Sequence, residues 1–257
     1  MEHDAAIYFR DQFRDARARA LHDAEAYQEV LFSIERFGSA LTGTVGTLGT
    51  YKEKIIARAK ASPLAEYVPS RHRDSHVPFS ALYEVVRDAR NDALHQGASA
   101  RHLTAHATQL VLVLEDALNE HATNVGDYMM RDPLCAYPWQ PISLVRQQML
   151  ANNFSYLPIW DEREEPTWRL VSDRAVAEYL RSAPSKNGRD GRKERLAKTV
   201  EEALTSPDLA LSDVRYCNSK TAIEEALELL GGPPMLVVVD RDNHKRLVGV
   251  LTPFDLL

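Results

Sequence analysis

At 257 residues, with 44% hydrophobic and 26% charged residues, the chain has an ordinary globular composition and is long enough for one large core or two smaller ones. The net charge of −6 is shared: residues 1–124 hold 14 Lys and Arg against 17 Asp and Glu, which argues against a general nucleic-acid coat but leaves room for a local basic cleft. No apolar run approaches the ~18 residues of a membrane span, and the start, MEHDAAIYFRDQF, has no signal-peptide core. Two cysteines, Cys135 and Cys217, give neither a disulfide framework nor zinc spacing. A cytoplasmic, reduced setting is expected.

From Ala5 to Leu41, apolar residues (Tyr8, Phe13, Ala16, Leu21, Ala24, Tyr27, Leu31, Ile34, Phe37) recur at helical intervals among charges. Residues 42–50, TGTVGTLGT, break that period as a loop, and no strand precedes them as a dinucleotide fingerprint would require. A short helix is predicted over Tyr51–Ala61, then a proline-rich connector over 62–78, then a helix over Ser80–Leu94. His72 and His76 fall in that connector, where a solvated loop outweighs a metal site. Ser99 can cap a last helix running to about His121 through Leu103, Leu110, Val111, Leu114 and Leu118. Helices of this number suit an α-helical bundle.

The stretch Arg90-Asn91-Asp92-Ala93-Leu94-His95-Gln96-Gly97 places a guanidinium, a carboxamide and an imidazole near one helix end. Asn91 and His95 are four apart and share a helix face, whereas Arg90 must reach round to join them. Arg-x4-His spacing also occurs at Arg17/His22, Arg71/His76 and Arg101/His106, so spacing alone is not diagnostic. Only the Arg90 instance has Asn directly after the Arg, an apolar helical run before it and Gly two residues after the His. In these respects the segment resembles the HEPN superfamily. The resemblance implies a small antiparallel helical bundle, a homodimer and metal-independent RNA cleavage using Arg90, Asn91 and His95. The bland reading of Arg90 and His95 is an ordinary solvated helix end.

The second half repeats itself. In the first copy, Tyr128-Met129-Met130-Arg131-Asp132-Pro133 leads to a helix-like Ile142–Ala151, then Tyr156–Asp161, then Trp168–Ser172. In the second, Leu211-Ser212-Asp213-Val214 leads to a helix-like Lys220–Leu230, then Met235–Asp240, then Arg246–Asp255. Such units bury little alone and stack. Val248-Gly249-Val250-Leu251-Thr252-Pro253-Phe254-Asp255 carries the hydrophobic-Gly-x-x-Thr-x-x-Asp ending by which this half resembles a CBS pair. The resemblance implies an adenine-nucleotide ligand, with Asp255 on ribose hydroxyls, Thr252 near phosphate and Gly249 in the same motif. The first copy keeps Ser172 but has Ala175 in place of the Asp, so its site is the weaker one. A helix N-cap pair would use Thr252 and Asp255 in the same way. Between the copies, residues 183–195 (APSKNGRDGRKER) read as a basic, solvated linker leading into a helix-like Lys193–Leu204. CBS repeats usually finish with a helix, so the second unit is expected to be short, or cut, at Leu257.

The expected fold is thus an N-terminal antiparallel helical bundle over 1–122 followed by a tandem CBS pair of small β-sheets with helices over 123–257. Repeat 1 is expected at about 125–182 and repeat 2 at about 205–257. The expected function is a toxin-like, ligand-regulated ribonuclease needing no metal or other cofactor for catalysis. Its partners would be RNA, a small nucleotide and a second copy of the chain, with no membrane. The rival is a non-catalytic, nucleotide-sensing regulator whose helical half only dimerises or docks a partner.

Overall fold

The computed structural model describes residues 1–22, 27–93, 100–163, 165–181, 189–232 and 234–257. The chain divides into two compact units, Met1–Ala122 and Thr123–Leu257. Unit 1 holds α1 (His3–His22), α2 (Tyr27–Thr42), α3 (Leu48–Ala59), α4 (Tyr67–Arg71), α5 (Phe79–Ala93) and α6 (Ala100–Asn119). α6 is its central element: Leu103, Ala107, Leu110, Val111, Leu114 and Leu118 recur every three or four residues and are all buried. That stripe packs against α1, α2, α3 and α5. Phe13 of α1 meets Phe37 of α2 edge to face, ring centroids 5.4 Å apart.

One buried charge ties the first helix to the last. Arg17 of α1 donates from Nε and Nη2 to the two carboxylate oxygens of Glu115 on α6, each at 3.0 Å. A fork-to-fork pair of this kind compensates the desolvated carboxylate better than one contact would.

Two boundaries differ from the sequence expectation. α3 starts at Leu48 rather than Tyr51, because Thr47 and Thr50 form a capping box, with the Thr47 N–H donating to Thr50 Oγ1 at 3.3 Å. The connector 62–78 contains α4, in which the Val68 N–H donates to the Pro63 carbonyl at 3.0 Å. Pro69 is tolerated there because a helix's first turn asks for no N–H from it.

Unit 2 comprises α7 (Val125–Tyr128), β1 (Met130–Arg131), α8 (Ile142–Asn152), β2 (Tyr156–Asp161), β3 (Thr167–Ser172), α9 (Asp173–Arg181), α10 (Arg189–Ala197), α11 (Val200–Leu204), β4 (Arg215–Cys217), α12 (Ile223–Leu229), β5 (Leu236–Val239) and β6 (Leu247–Leu251). A 3-10 turn over Pro253–Leu256 closes it. β2 and β3 form an antiparallel pair, and the second sheet has the order β1-β6-β5-β4. Every residue of β5 is buried, as a run of valines in a central strand should be.

The repeats exchange their leading segments. β1 opens repeat 1 yet pairs with β6 of repeat 2, Met130 opposite Val250. Ser212 lies in the leading segment of repeat 2 yet bridges to Leu170 of β3, with hydrogen bonds of 2.9 Å in both directions. Each sheet is thereby completed by backbone from the other repeat.

The linker expectation needs correction. α10 begins at Arg189, inside the stretch read as a loop, and the helix-like run Lys193–Leu204 breaks at Lys198–Thr199. The cause is a fresh N-cap: Thr199 Oγ1 accepts from the Glu202 N–H at 3.1 Å, and Glu202 Oε2 accepts from the Thr199 N–H at 2.8 Å. The end of the chain is likewise a single 3-10 turn.

Candidate functional site

On α5, Phe79, Leu82, Tyr83 and Val86 fill the core at helical spacing, which leaves the flank carrying Glu84, Arg87 and Arg90 at the edge of the bundle. The Tyr83 hydroxyl donates to the Leu48 carbonyl at 2.7 Å, and burial pushes its pKa above the usual tyrosine range. Glu84 binds Lys52 of α3 and, at 2.5 Å, Arg87. Arg90 reaches Glu35 of α2, Nη2 to Oε1 at 2.7 Å, with the Arg90 side chain 32% exposed. The guanidinium is therefore held at the surface edge by a carboxylate, and an incoming phosphate would have to share it. Asn91 lies in the backbone of α5, but its side chain, and all of His95, fall outside the described residues.

Two of the other Arg-x4-His arginines have partners of their own. Arg17 is bound to buried Glu115, and Arg71 stacks on the Tyr67 ring at 3.8 Å. His72 and His76 have ring centroids 6.4 Å apart, and no cluster of three metal-ligating side chains exists among the described residues.

In unit 2, β6 delivers Thr252 to the start of the closing turn. The Thr252 N–H and hydroxyl both donate to Asp255 Oδ2, at 2.7 and 2.8 Å. Both residues are half-buried. Ser172 occupies the matching place at the start of α9, where its hydroxyl accepts from the Ala175 N–H at 3.0 Å. The two repeats thus share one capping device, and only the second supplies a carboxylate. A nucleotide using Asp255 would add its ribose hydroxyls to an acceptor already engaged by Thr252.

Gly249 has a structural explanation of its own. A Cβ there would lie 2.7 Å from Met129 Sδ and 2.8 Å from the Met130 carbonyl, so β1 can pass beside β6 only because the side chain is absent. Cys135 and Cys217 are buried, and desolvation lifts their thiols to about 11 and about 12. They serve as small core residues.

Sequence reasoning missed Glu35, the partner of Arg90, and the ion pairs of Asp161. Arg163 donates to both oxygens of that buried carboxylate at 2.9 Å and holds its pKa below the usual range, with Arg169 at 3.5 Å assisting. Two hollows, of about 600 and 430 Å³, lie among α8, α9 and α10, and neither is lined by Thr252 or Asp255.

Residues 125–182 and 206–257 match the family model described as the CBS domain, so unit 2 carries a CBS pair. No curated protein sequence matches the chain. Among solved structures, the chain is similar to CBSX2 from Arabidopsis thaliana, at 22% identity over 52% of this chain and 90% of that one, with a TM-score of 0.39. It is also similar to CBSX2 in complex with AMP, at 21% identity over 52% and 92%, TM-score 0.37. A third is the CBS domain pair of MJ0100 in complex with 5′-methylthioadenosine and S-adenosyl-L-methionine, at 20% over 52% and 92%, TM-score 0.37. No helix among the described residues is long and apolar enough to cross a membrane.

Proposed function

We propose that the chain is a metal-independent endoribonuclease of HEPN type whose activity is set by an adenine nucleotide on its CBS pair. The observation that carries the nuclease half is the position of Arg90 near the C-terminal end of α5, at the edge of a helical bundle, with Asn91 directly after it and His95 five residues after it in the sequence. In this reading His95 takes the proton of a ribose 2′-hydroxyl, the freed oxygen attacks phosphorus, and the 5′-oxygen leaves with a proton. Arg90 stabilises the added negative charge, and Asn91 orients the phosphate or His95. One imidazole does not readily serve as base and acid together, so a two-fold homodimer would bring a second His95 to the leaving group. Requirement for a 2′-hydroxyl selects RNA over DNA.

The regulatory half rests on the match to the CBS domain and on the single carboxylate at Asp255. The adenine-containing molecules held by two of the similar structures choose the ligands worth testing. RNA cleavage in EDTA, comparing the wild type with His95→Ala, tests the nuclease. Undiminished cleavage by a clean His95→Ala preparation removes the assignment.

The Arg90–Glu35 ion pair favours a second reading, in which Arg90 merely ties α5 to α2 and the helical unit is a dimerisation or docking module. In that case the wild type cuts no RNA under any nucleotide condition.

A further inference from the structure

The basic stretch after repeat 1 belongs to neither proposed site. Residues 189–198, RDGRKERLAK, carry five cations against two acids in a chain of net charge −6. Among them Arg195 has a structural task, binding Asp208 at 2.7 Å and lying 4.7 Å over the Tyr179 ring. Arg192, Lys193 and Lys198 are exposed and have no ion-pair partner among the described residues, and the same is true of Arg146 on α8. Arg192 lines both hollows, so they adjoin. The larger has apolar walls from Met149, Val176 and Leu180, with Arg146, Arg181 and Arg192 among its cations.

An aromatic pair stands beside this trough. Tyr137 and Trp139 stack at 6.0 Å with planes 19° apart, yet are 49% and 66% exposed. Their backbone is fixed. The Gln140 N–H donates to the Tyr137 carbonyl at 3.0 Å, and the Tyr137 N–H donates to the buried Gln140 side chain at 3.1 Å. The Glu201 N–H donates to the Pro138 carbonyl at 2.9 Å, so α11 also holds the turn. The Ile142 N–H donates to the Lys198 carbonyl at 2.8 Å, which ties the end of α10 to the start of α8, three residues after Trp139. Ser143, one residue further on, lines the smaller hollow.

We infer that this face of unit 2, from Tyr137 and Trp139 along α8 and α10, is a binding site for single-stranded RNA. Every base has a flat face that can stack on an exposed aromatic ring, and cations beside the ring pair with the phosphates between bases. A platform held rigid by backbone bonds loses little entropy on binding. The larger hollow is lined by four arginines against one carboxylate, Asp173, so phosphate is favoured there over the α11 side, where Glu201 and Glu202 lie. Duplex is disfavoured because its bases are already stacked and paired. The stacking and charge alone fit any single-stranded polynucleotide; the choice of RNA rests on the ribonuclease reading, to which this site adds a second anchor for substrate.

The test is fluorescence anisotropy of a labelled 12-residue oligouridylate with the full chain carrying His95→Ala, so that binding is read without cleavage. Trp139→Ala should weaken binding about tenfold, the loss expected for one stacked base. Arg192→Glu with Lys193→Glu should lower the slope of log affinity against log salt by about 1.4, as two lost phosphate contacts require. An RNA duplex should bind at least about tenfold more weakly, while a matching deoxyuridylate, which offers the same stacking faces and phosphates, should bind within about threefold. No binding by the His95→Ala protein, or binding untouched by both sets of changes, overturns the site. Loss of a dimer in sedimentation by the same variants, with RNA affinity intact, reassigns the face to a protein partner. Failure of the wild type to cut RNA counts against the nuclease alone, because this measurement never depends on cleavage.

Discussion

Arg90 and Glu35 meet at 2.7 Å across α5 and α2, which places the one described candidate catalytic side chain of unit 1 in an ion pair. The pair separates packing from chemistry, since either residue can be changed to break it. Arg90→Ala should reduce RNA cleavage at least ~100-fold, as loss of a charge stabiliser does. Glu35→Gln should cost less than ~10-fold, with both variants losing about 1 kcal/mol or less of stability. Initial rates and urea midpoints on the same preparations check this. Equal losses of activity would make Arg90 a structural residue. His22→Ala and His76→Ala should leave cleavage nearly unchanged.

Asp255 accepts two hydrogen bonds from Thr252, so Asp255→Ala should cost stability as well as ligand. We expect about 1 kcal/mol of destabilisation from the lost cap and at least ~1 kcal/mol of weakened binding. Calorimetry with ATP, ADP, AMP and S-adenosylmethionine measures the second effect and thermal unfolding the first. Ser172→Ala should cost a similar cap while leaving the tightest nucleotide affinity within about twofold.

Gly249→Ala should destabilise unit 2 by about 1–3 kcal/mol, because the new methyl meets the Met130 carbonyl as well as the flexible Met129 side chain. The urea midpoint reports it. Met129→Ala should relieve only part of the loss, since the backbone contact remains.

The pH dependence of stability should carry a signature of Asp161. Its folded pKa is depressed, chiefly by hydrogen bonds from Arg163, so its contribution is present above the unfolded value near ~3.9 and fades as pH falls through the folded one. The stability difference between the wild type and Asp161→Asn should therefore be constant from pH 5 to 8 and shrink below about pH 4. A difference that grows on acidification contradicts this assignment.

Saturating nucleotide should change RNA cleavage at least ~4-fold in one direction, a coupling of roughly 1 kcal/mol. The ligand achieves this only by binding two arrangements of the protein with different affinity. Identical rates with the site empty and demonstrably full would mean that the two units share a chain without sharing regulation.

The helical half was legible because an α6 face written as Leu103, Ala107, Leu110 and Leu114 is a local code. Its boundaries were less so. The capping threonines Thr47 and Thr50 look like loop when read among glycines, and Pro63 and Pro69 disguise α4. In the second half the doubled strands and the Thr252–Asp255 ending could be read directly. Glu35 could not be paired with Arg90, nor Met130 with Val250, because both are meetings between segments far apart in sequence. Gly249 shows the same limit: its motif was visible, but not the strand that passes against it. Thr199 went unremarked among charged neighbours, so one continuous helix was expected where a cap divides two.

The crossed pairing of β1 with β6, and of Ser212 with β3, bears on the chain's birth. On a ribosome, repeat 1 emerges whole but cannot finish: the partner of Leu170 is still unmade, and β1 waits for Leu247–Leu251, near the end of the sequence. Until then Met130 and the outer edge of β3 are open strand edges exposed to neighbouring nascent chains. The second sheet can therefore close only after Leu247–Leu251 is made, whereas the described helices of the first unit are complete by Asn119.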